Sequence, residues 1–389
     1  LILVAVPMFI FMGTMLERSG VANDLLNCLQ VLLRRVPGGL ALSVTIMGTI
    51  MAATTGIIGA SVVMMTLLAL PVMLERNYNP SLATGTIAAS GTLGILIPPS
   101  IMLVIMADLL AISVGTLFLA AIVPGLLLAT IYIIYLYLRT KLNPQLAPPL
   151  PDSMGPKSNA ELWIMIFRSF IPPIFLIMCV LGSIFAGIAT PTEAAAVGAL
   201  GSIILALFNK RLSKTVIKSV TERSALTCAM IFGIFIGATA FSYVFRSLGG
   251  DDLIHHVVES LGLGSWGILF LMMGMCFLLG FFFDWVEITL IVLPLFAPIL
   301  ATLDFGTHIA PELVVPWVAV LIAVNLQTSF LTPPFGFALF YLKGVAPPSI
   351  KIQMIYKGII PFVILQLIGL IAIICFPELV MWLPTKLLD

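Results

Sequence analysis

The chain has 389 residues, 61% of them hydrophobic and only 9% charged, with a formal net charge of +1. A water-soluble domain carries about 25% charged residues, so this chain cannot clothe itself in a hydrated surface, and the lipid bilayer must be its solvent. The near-neutral charge and the lack of any Lys/Arg-rich run exclude a nucleic-acid partner.

Leu1–Leu16 reads as a span cut short at its start, and Val21–Arg35 as an amphipathic segment lying along the interface. Residues 1–38 thus form a truncated scaffold helix and an interfacial helix. Residues 39–138 form a first repeat. In it, the long apolar stretch Leu40–Leu74 is interrupted at Thr54-Thr55-Gly56 and Gly59. Ser81–Ala107 is interrupted at Ser90-Gly91-Thr92, Gly94 and Pro98-Pro99, and Val114–Leu138 is an ordinary span. Residues 139–158 are a linker rich in proline. Residues 159–262 hold connecting or scaffold helices: Leu162–Ala186, Glu193–Phe208 and a span from Ser224 to Phe245, followed by the acidic stretch Gly249–Ser260. Residues 263–389 form a second repeat, with Trp266–Gly280, Phe281–Leu303, Leu313–Phe330, Gly336–Leu342 and Ile355–Trp382.

Charge orients these spans. Arg139, Lys141 and Lys157 in the linker, and Lys210, Arg211, Lys214, Lys218 and Arg223 two spans later, fall on one side, which the positive-inside rule makes cytoplasmic. The acidic stretch, one span further on, is outside. The five cysteines (Cys28, Cys179, Cys228, Cys276, Cys375) stand singly in apolar runs and read as small core residues. His255, His256 and His308 lie in connecting segments.

The halves repeat one another. Ile97-Pro98-Pro99-Ser100 precedes Ser113 and then Pro124, while Thr332-Pro333-Pro334-Phe335 precedes Ser349 and then Pro361. Pro71 and Pro294 match upstream. Paired Gly/Pro-interrupted apolar segments are the best sequence pointer to a transporter binding site. Prolines that merely kink packed helices are the plainer alternative. The repeats are expected to be inverted.

Ser90-Gly91-Thr92-Leu93-Gly94 and Asn325-Leu326-Gln327-Thr328-Ser329 each stand just before a Pro-Pro, and Thr332 directly before the second. Proline strips carbonyls upstream of their helical donor, and in hydrocarbon those oxygens need another partner. A bound cation among nearby hydroxyls is one solution, and the half-helix beyond the break offers free N–H groups to a carboxylate. The breaks thus offer Ser90, Gly91, Gly94, Asn325, Gln327, Thr328 and Thr332 as candidate Na⁺ ligands, and Ser90, Thr92, Thr328, Ser329 and Thr332 as candidate substrate contacts. Hydroxyls that only bond across helices are the alternative.

Thr54–Ser61 and Asp284–Thr289 occupy corresponding places and read as tips of re-entrant hairpins. Asp284 and Glu287, three apart, share a helical face. Each costs about 2.5–3.5 kcal/mol if it faces lipid at mid-bilayer, so both should face protein, water or an ion. Asp108 reads as a cap or interfacial residue, and Thr190-Pro191-Thr192-Glu193 as a capping box. Trp266, Trp285, Trp317 and Trp382 read as anchors or packing.

The strings Gly85-Thr-Ile-Ala-Ala-Ser-Gly-Thr-Leu-Gly-Ile-Leu-Ile-Pro-Pro-Ser100, Thr190-Pro-Thr-Glu-Ala-Ala-Ala-Val-Gly198 and Leu331-Thr-Pro-Pro-Phe-Gly336 resemble the large membrane subunit of tripartite ATP-independent periplasmic (TRAP) transporters, over essentially the whole chain. Residues 281–287 and 331–348 look most like the branch associated with mannitol and chloroaromatic compounds. The resemblance implies an all-α, multi-pass protein of the bacterial inner membrane, an elevator-type secondary transporter with two repeats, re-entrant hairpins and discontinuous helices. It implies Na⁺ as coupling ion, an organic-acid substrate, a periplasmic substrate-binding protein and a small membrane subunit as partners, and no enzymatic activity. Carried over by matching motif, it adds the hairpin tips to the site, with Gly56, Gly59, Asp284, Glu287 and Thr289 as Na⁺ ligands and Thr54, Thr55 and Ser61 as substrate contacts. A stand-alone Na⁺/dicarboxylate symporter and a membrane-embedded enzyme are the rival readings. Neither a nucleophile–base pair nor a P-loop pattern supports the enzyme.

Overall fold

The computed structural model describes residues 2–150, 155, 158–260 and 262–388, with the side chains at 2, 54, 55, 251, 255, 257–259 and 388 left aside. Among these residues helix is the only regular structure. Seven helices among the described residues are long and apolar enough to cross a membrane. With no water to satisfy exposed peptide groups, a helix that closes its own hydrogen bonds is the element such a composition can build.

α1 (Ala5–Arg18) turns through left-handed Gly20 into α2 (Val21–Leu32). α2 buries Val21, Leu25 and Leu29 at helical spacing against α3 (Gly39–Thr55) and α8 (Asn159–Phe185). Its Asp24 carboxyl is pushed above the ordinary range by burial, with the guanidinium groups of Arg168 and Arg211 pulling the other way.

α3 and α4 (Ile58–Glu75) are joined by a two-residue turn, Gly56-Ile57, in which Gly56 takes φ +59°. A left-handed residue there ends α3 at no Cβ cost. α5 (Pro80–Thr92) starts with proline at its first position under an Asn79 cap, whose Oδ1 accepts from the N–H of Ser81 and Leu82 at 3.0 and 3.2 Å. A short 3-10 turn and the Pro98-Pro99 break separate it from α6 (Ile101–Leu109), and α7 (Val114–Leu142) completes the repeat.

The second repeat has the same order. α12 (Ser265–Leu279) and α13 (Trp285–Leu300) form a hairpin. α14 (Val314–Leu331) and α15 (Phe337–Val345) flank Pro333-Pro334, and α16 (Ile352–Cys375) and α17 (Glu378–Leu388) follow. Three long helices lie between the repeats: α8, α9 (Pro191–Phe208) and α10 (Lys214–Ser247). An odd number of crossings delivers the second repeat to the opposite side of the bilayer, so the repeats are inverted. α11 (Gly250–Ser260) lies between α10 and the second repeat.

The broken helices are central and the connecting helices peripheral: 89% of the apolar window containing α14 is buried, against 11% of that in α10. α5 crosses α16 so closely that a Cβ on Gly85 would collide with the carbonyl of Gly358, and one on Gly358 with the carbonyl of Ser81. α1 packs on α9 and α10, and Glu17 pairs with Arg223 of α10 at 3.4 Å.

Several expectations change in detail. α7 runs to Leu142, past the expected end at 138, because Arg139 and Lys141 sit in its last turn, where cations favour the helix terminus. Cys28 and Cys276 are buried, but Cys179 and Cys228 are half-buried and Cys375 is exposed at the end of α16, so the core reading fails for the last. His255 and His256 belong to α11 and not to a loop. Asp108 lies in the last turn of α6 and caps no helix among the described residues, which removes the capping half of that reading. The capping box at Thr190 forms as read, with Glu193 Oε2 accepting from Thr190 N–H at 2.8 Å. Trp317 is fully buried, edge-on to Trp266 and Phe305, and donates Nε1–H to the Ile373 carbonyl at 3.1 Å, while Trp382 is 55% exposed.

Candidate functional site

Both hairpins end at the breaks. A Cβ on Gly56 would lie 3.2 Å from the backbone N of Ile101, the first residue after the first break. A Cβ on Gly280, at the close of α12, would collide with Ser329 Oγ, three residues before the second break. A hairpin whose tip stops at the interruption of a discontinuous spanning helix enters and leaves on one side, so both hairpins are re-entrant.

The two breaks meet in the interior. Gln327 of α14 donates Nε2–H to Thr92 Oγ1 of α5 at 3.4 Å, joining residues 235 apart in sequence. Gln327 is fully buried, and its Oε1 has no hydrogen-bond partner among the described residues. Ser90 Oγ donates to Thr45 Oγ1 of α3 at 3.2 Å, and Asn325 donates Nδ2–H to the Met273 carbonyl of α12 at 2.7 Å. Each polar contact thus ties a broken helix to its own hairpin or to the other broken helix.

Most of the predicted hydroxyls spend their proton on their own helix. Thr92 donates to Ala89 O, Thr328 to Val324 O, Ser329 to Leu326 O, Thr332 to Thr328 O and Ser61 to Ile57 O, at 2.8–3.0 Å. A hydroxyl whose proton is committed backwards keeps its lone pairs for another partner.

The expectation that both breaks orphan equivalent carbonyls is met unevenly. Pro99 removes the donor to Ile95 O, but Ser100 Oγ takes that oxygen at 2.6 Å. At the matching place Phe335 has no hydroxyl, so Pro334 strips Phe330 O with no serine to replace the donor. Tyr356 of α16 instead binds the Pro334 carbonyl at 2.6 Å. Gly91 and Gly94 are buried, Gly91 being held against Val62 of α4. The side chains of Thr54 and Thr55 lie outside the described ones.

A second locus lies between the hairpin tips. Tyr341 of α15 rests on hairpin 1, where a Cβ on Gly59 would be 2.9 Å from its ring, and it lies close enough to Asp284 and Glu287 of hairpin 2 to feel both charges. Asp284 caps α13, Oδ1 accepting from Trp285 N–H at 2.8 Å. Glu287 Oε2 is shielded and has no hydrogen-bond partner among the described residues, and Glu287 lines a cavity of about 220 Å³ whose other walls are apolar (Leu279, Phe283, Ile288, Ile291, Val292). Thr289 is buried with Oγ1 unpartnered. Among the described residues no hydrogen bond links Asp284 or Glu287 to Asn325, Gln327 or Thr328. Sequence reasoning missed Thr45, Ser100 and Tyr341. Only Tyr341, an aromatic on the half-helix seven residues after Pro334, carried any local signal.

The profile described as "Tripartite ATP-independent periplasmic transporter, DctM component" matches residues 1–379. The C4-dicarboxylate TRAP transporter large permease protein DctM of Pseudomonas aeruginosa is 31% identical over 389 residues, covering 99% of this chain and 86% of its own. The protein of the same name from Vibrio cholerae is 30% identical over 99% and 86%. The ectoine/5-hydroxyectoine TRAP transporter large permease protein UehC of Ruegeria pomeroyi is 28% identical over 98% and 85%. Among solved structures, the YdaH transporter of Alcanivorax borkumensis has the same fold, with a TM-score of 0.61 at 16% identity over 95% of this chain and 85% of that one. The mannitol and chloroaromatic branch is not the one these relatives name. Two inverted repeats with re-entrant hairpins, matched by a family profile over nearly the whole length, make this a multi-pass inner-membrane chain that is not an enzyme and that belongs to the DctM component family of tripartite ATP-independent periplasmic transporters.

Proposed function

We propose that the chain is the translocation subunit of a Na⁺-coupled importer that receives a small organic acid from a periplasmic binding protein. The observation that carries this is the junction of the two broken helices at Gln327 and Thr92, with a hairpin tip at each break. Freed carbonyls, back-bonded hydroxyls and the unpartnered Gln327 Oε1 are hard, uncharged oxygen donors of the kind a small alkali cation takes. Na⁺ bound between hairpin and break would hold the tip closed, and the cleft beside Tyr341 would take the substrate. The hairpins and broken helices (39–138 and 263–389) move as an elevator. α1, α2 and the helices of 159–262 stand still with a small membrane subunit, and 139–158 is the cytoplasmic linker. A relative named isethionate TRAP transporter permease protein DctMQ, from Oleidesulfovibrio alaskensis, is longer than this chain, which covers 58% of it, in keeping with a second membrane component.

The test is uptake into proteoliposomes holding this chain, its small subunit and its binding protein. Uptake should collapse without a Na⁺ gradient and without the binding protein. Full uptake lacking the binding protein favours the stand-alone symporter, and full uptake lacking Na⁺ overturns the coupling.

A second reading of the substrate comes from Asp284 and Glu287, which have no cationic side chain bound to them among the described residues. Two carboxylates at the cleft repel a dianion but suit a molecule with a positive group beside its carboxylate. Relatives are named both for C4-dicarboxylates and for ectoine. Competition of labelled uptake by succinate and by ectoine separates the two readings.

A further inference from the structure

α13 carries prolines at 294 and 298, four residues apart. In an α-helix residue 298 should donate to the carbonyl of 294, and residue 294 to that of 290; both donors are missing. α13 therefore exposes two carbonyls one turn apart, about 6 Å along its axis, that lack their intrahelical partner. In an apolar setting each needs a substitute.

The substitute comes from α10. Arg246 Nη2 donates to the Pro294 carbonyl at 3.0 Å. Leu290, Pro294, Ser242 and Arg246 line the same cavity of about 290 Å³ between the two helices. Ser242 and Arg246 are also one turn apart, and Ser242 Oγ makes no hydrogen bond. α10 runs from the cytoplasmic side outwards, and α13 runs from the hairpin tip outwards, so the helices are parallel. Their polar steps match in length.

We propose that Arg246 is a register latch between the stationary and moving parts. It holds α13 against α10 through the Pro294 carbonyl. When hairpin 2 slides one turn outwards along α10, the Leu290 carbonyl arrives at the same guanidinium. The long, five-donor side chain of arginine can follow a moving acceptor and release it without leaving a buried charge, because its head lies at the exposed end of the cavity. This rests on the elevator reading above, but its test does not depend on transport.

The test uses the full transporter in native membranes, with the five native cysteines replaced and Ser242→Cys combined with Leu290→Cys as a reporter of the register seen here. Oxidative cross-linking should be efficient with Arg246 present and fall at least threefold with Arg246→Ala. Pro298→Ala restores an N–H that competes for the Pro294 carbonyl, so it should lower the yield too, although it makes α13 a better helix. Arg246→Lys, which keeps a charged donor, should recover at least half of the yield lost in the alanine variant. A yield unchanged in both Arg246→Ala and Pro298→Ala overturns the latch, whatever becomes of uptake. A fall in Arg246→Ala alone also overturns it, because it reduces Arg246 to packing.

Discussion

The two breaks share a frame and differ in how they close. In the first, everything from Ser90 to Ser100 is buried, the Ile95 carbonyl is taken by Ser100, and the hairpin tip is the neutral pair Gly56-Ile57. In the second, Phe335 is 45% exposed and meets Phe282 of the hairpin tip at 5.2 Å between ring centroids. The tip itself spans five residues and ends on Asp284. The first half covers its freed carbonyl with Ser100, whereas the second has no serine at that place and sets two carboxylates and exposed aromatic faces beside the break. The two halves share one scaffold and differ at a few positions, Ser100 against Phe335 and Gly56-Ile57 against a tip ending on Asp284.

The shared frame is tested first, because it should fail most severely. Gly358→Leu drives a side chain into the Ser81 carbonyl, and overpacking against backbone costs about 3 kcal/mol or more. Little folded protein should be recovered by size-exclusion chromatography in detergent. Ser100→Ala should strand the Ile95 carbonyl at a cost of about 2 kcal/mol, read as a lower thermal midpoint. Phe335→Ala at the matching position should leave that midpoint almost unchanged and alter uptake instead. Equal midpoint losses at 100 and 335 would erase the contrast between the halves. Asn325→Ala, which cuts the tie from α14 to hairpin 2, should cost about 1–2 kcal/mol, and Ser90→Ala, which cuts the tie to hairpin 1, about 0.6 kcal/mol. Last, Glu287→Gln should leave stability within about 0.5 kcal/mol, since no partner is lost, yet shift the preference between succinate and ectoine as competitors. An unchanged preference would remove the acidic pair from substrate selection.

Much of this architecture was legible beforehand, and the reasons are local. Lipid leaves a chain only helices or closed barrels, and proline and glycine declare where a helix must stop. The interruptions at 56, 98–99 and 333–334 can therefore be read directly, as can the capping box at Thr190. Side-chain roles were less legible. Thr328, Ser329 and Thr332 each return the proton to a carbonyl three or four residues back, an option open to any Ser or Thr in an apolar helix, so that only their lone pairs stay available.

By itself the sequence determined the solvent, the helices, their breaks and the twofold repetition, because all of these follow from hydropathy, backbone donors and charge along the chain. Only the tertiary structure decided which groups meet. Gln327 reaches Thr92 across 235 residues, Tyr341 rests on Gly59, Ser100 covers Ile95 O, and Arg246 finds Pro294. Each of these contacts depends on the angle and depth at which separate helices pack, which no local spacing encodes.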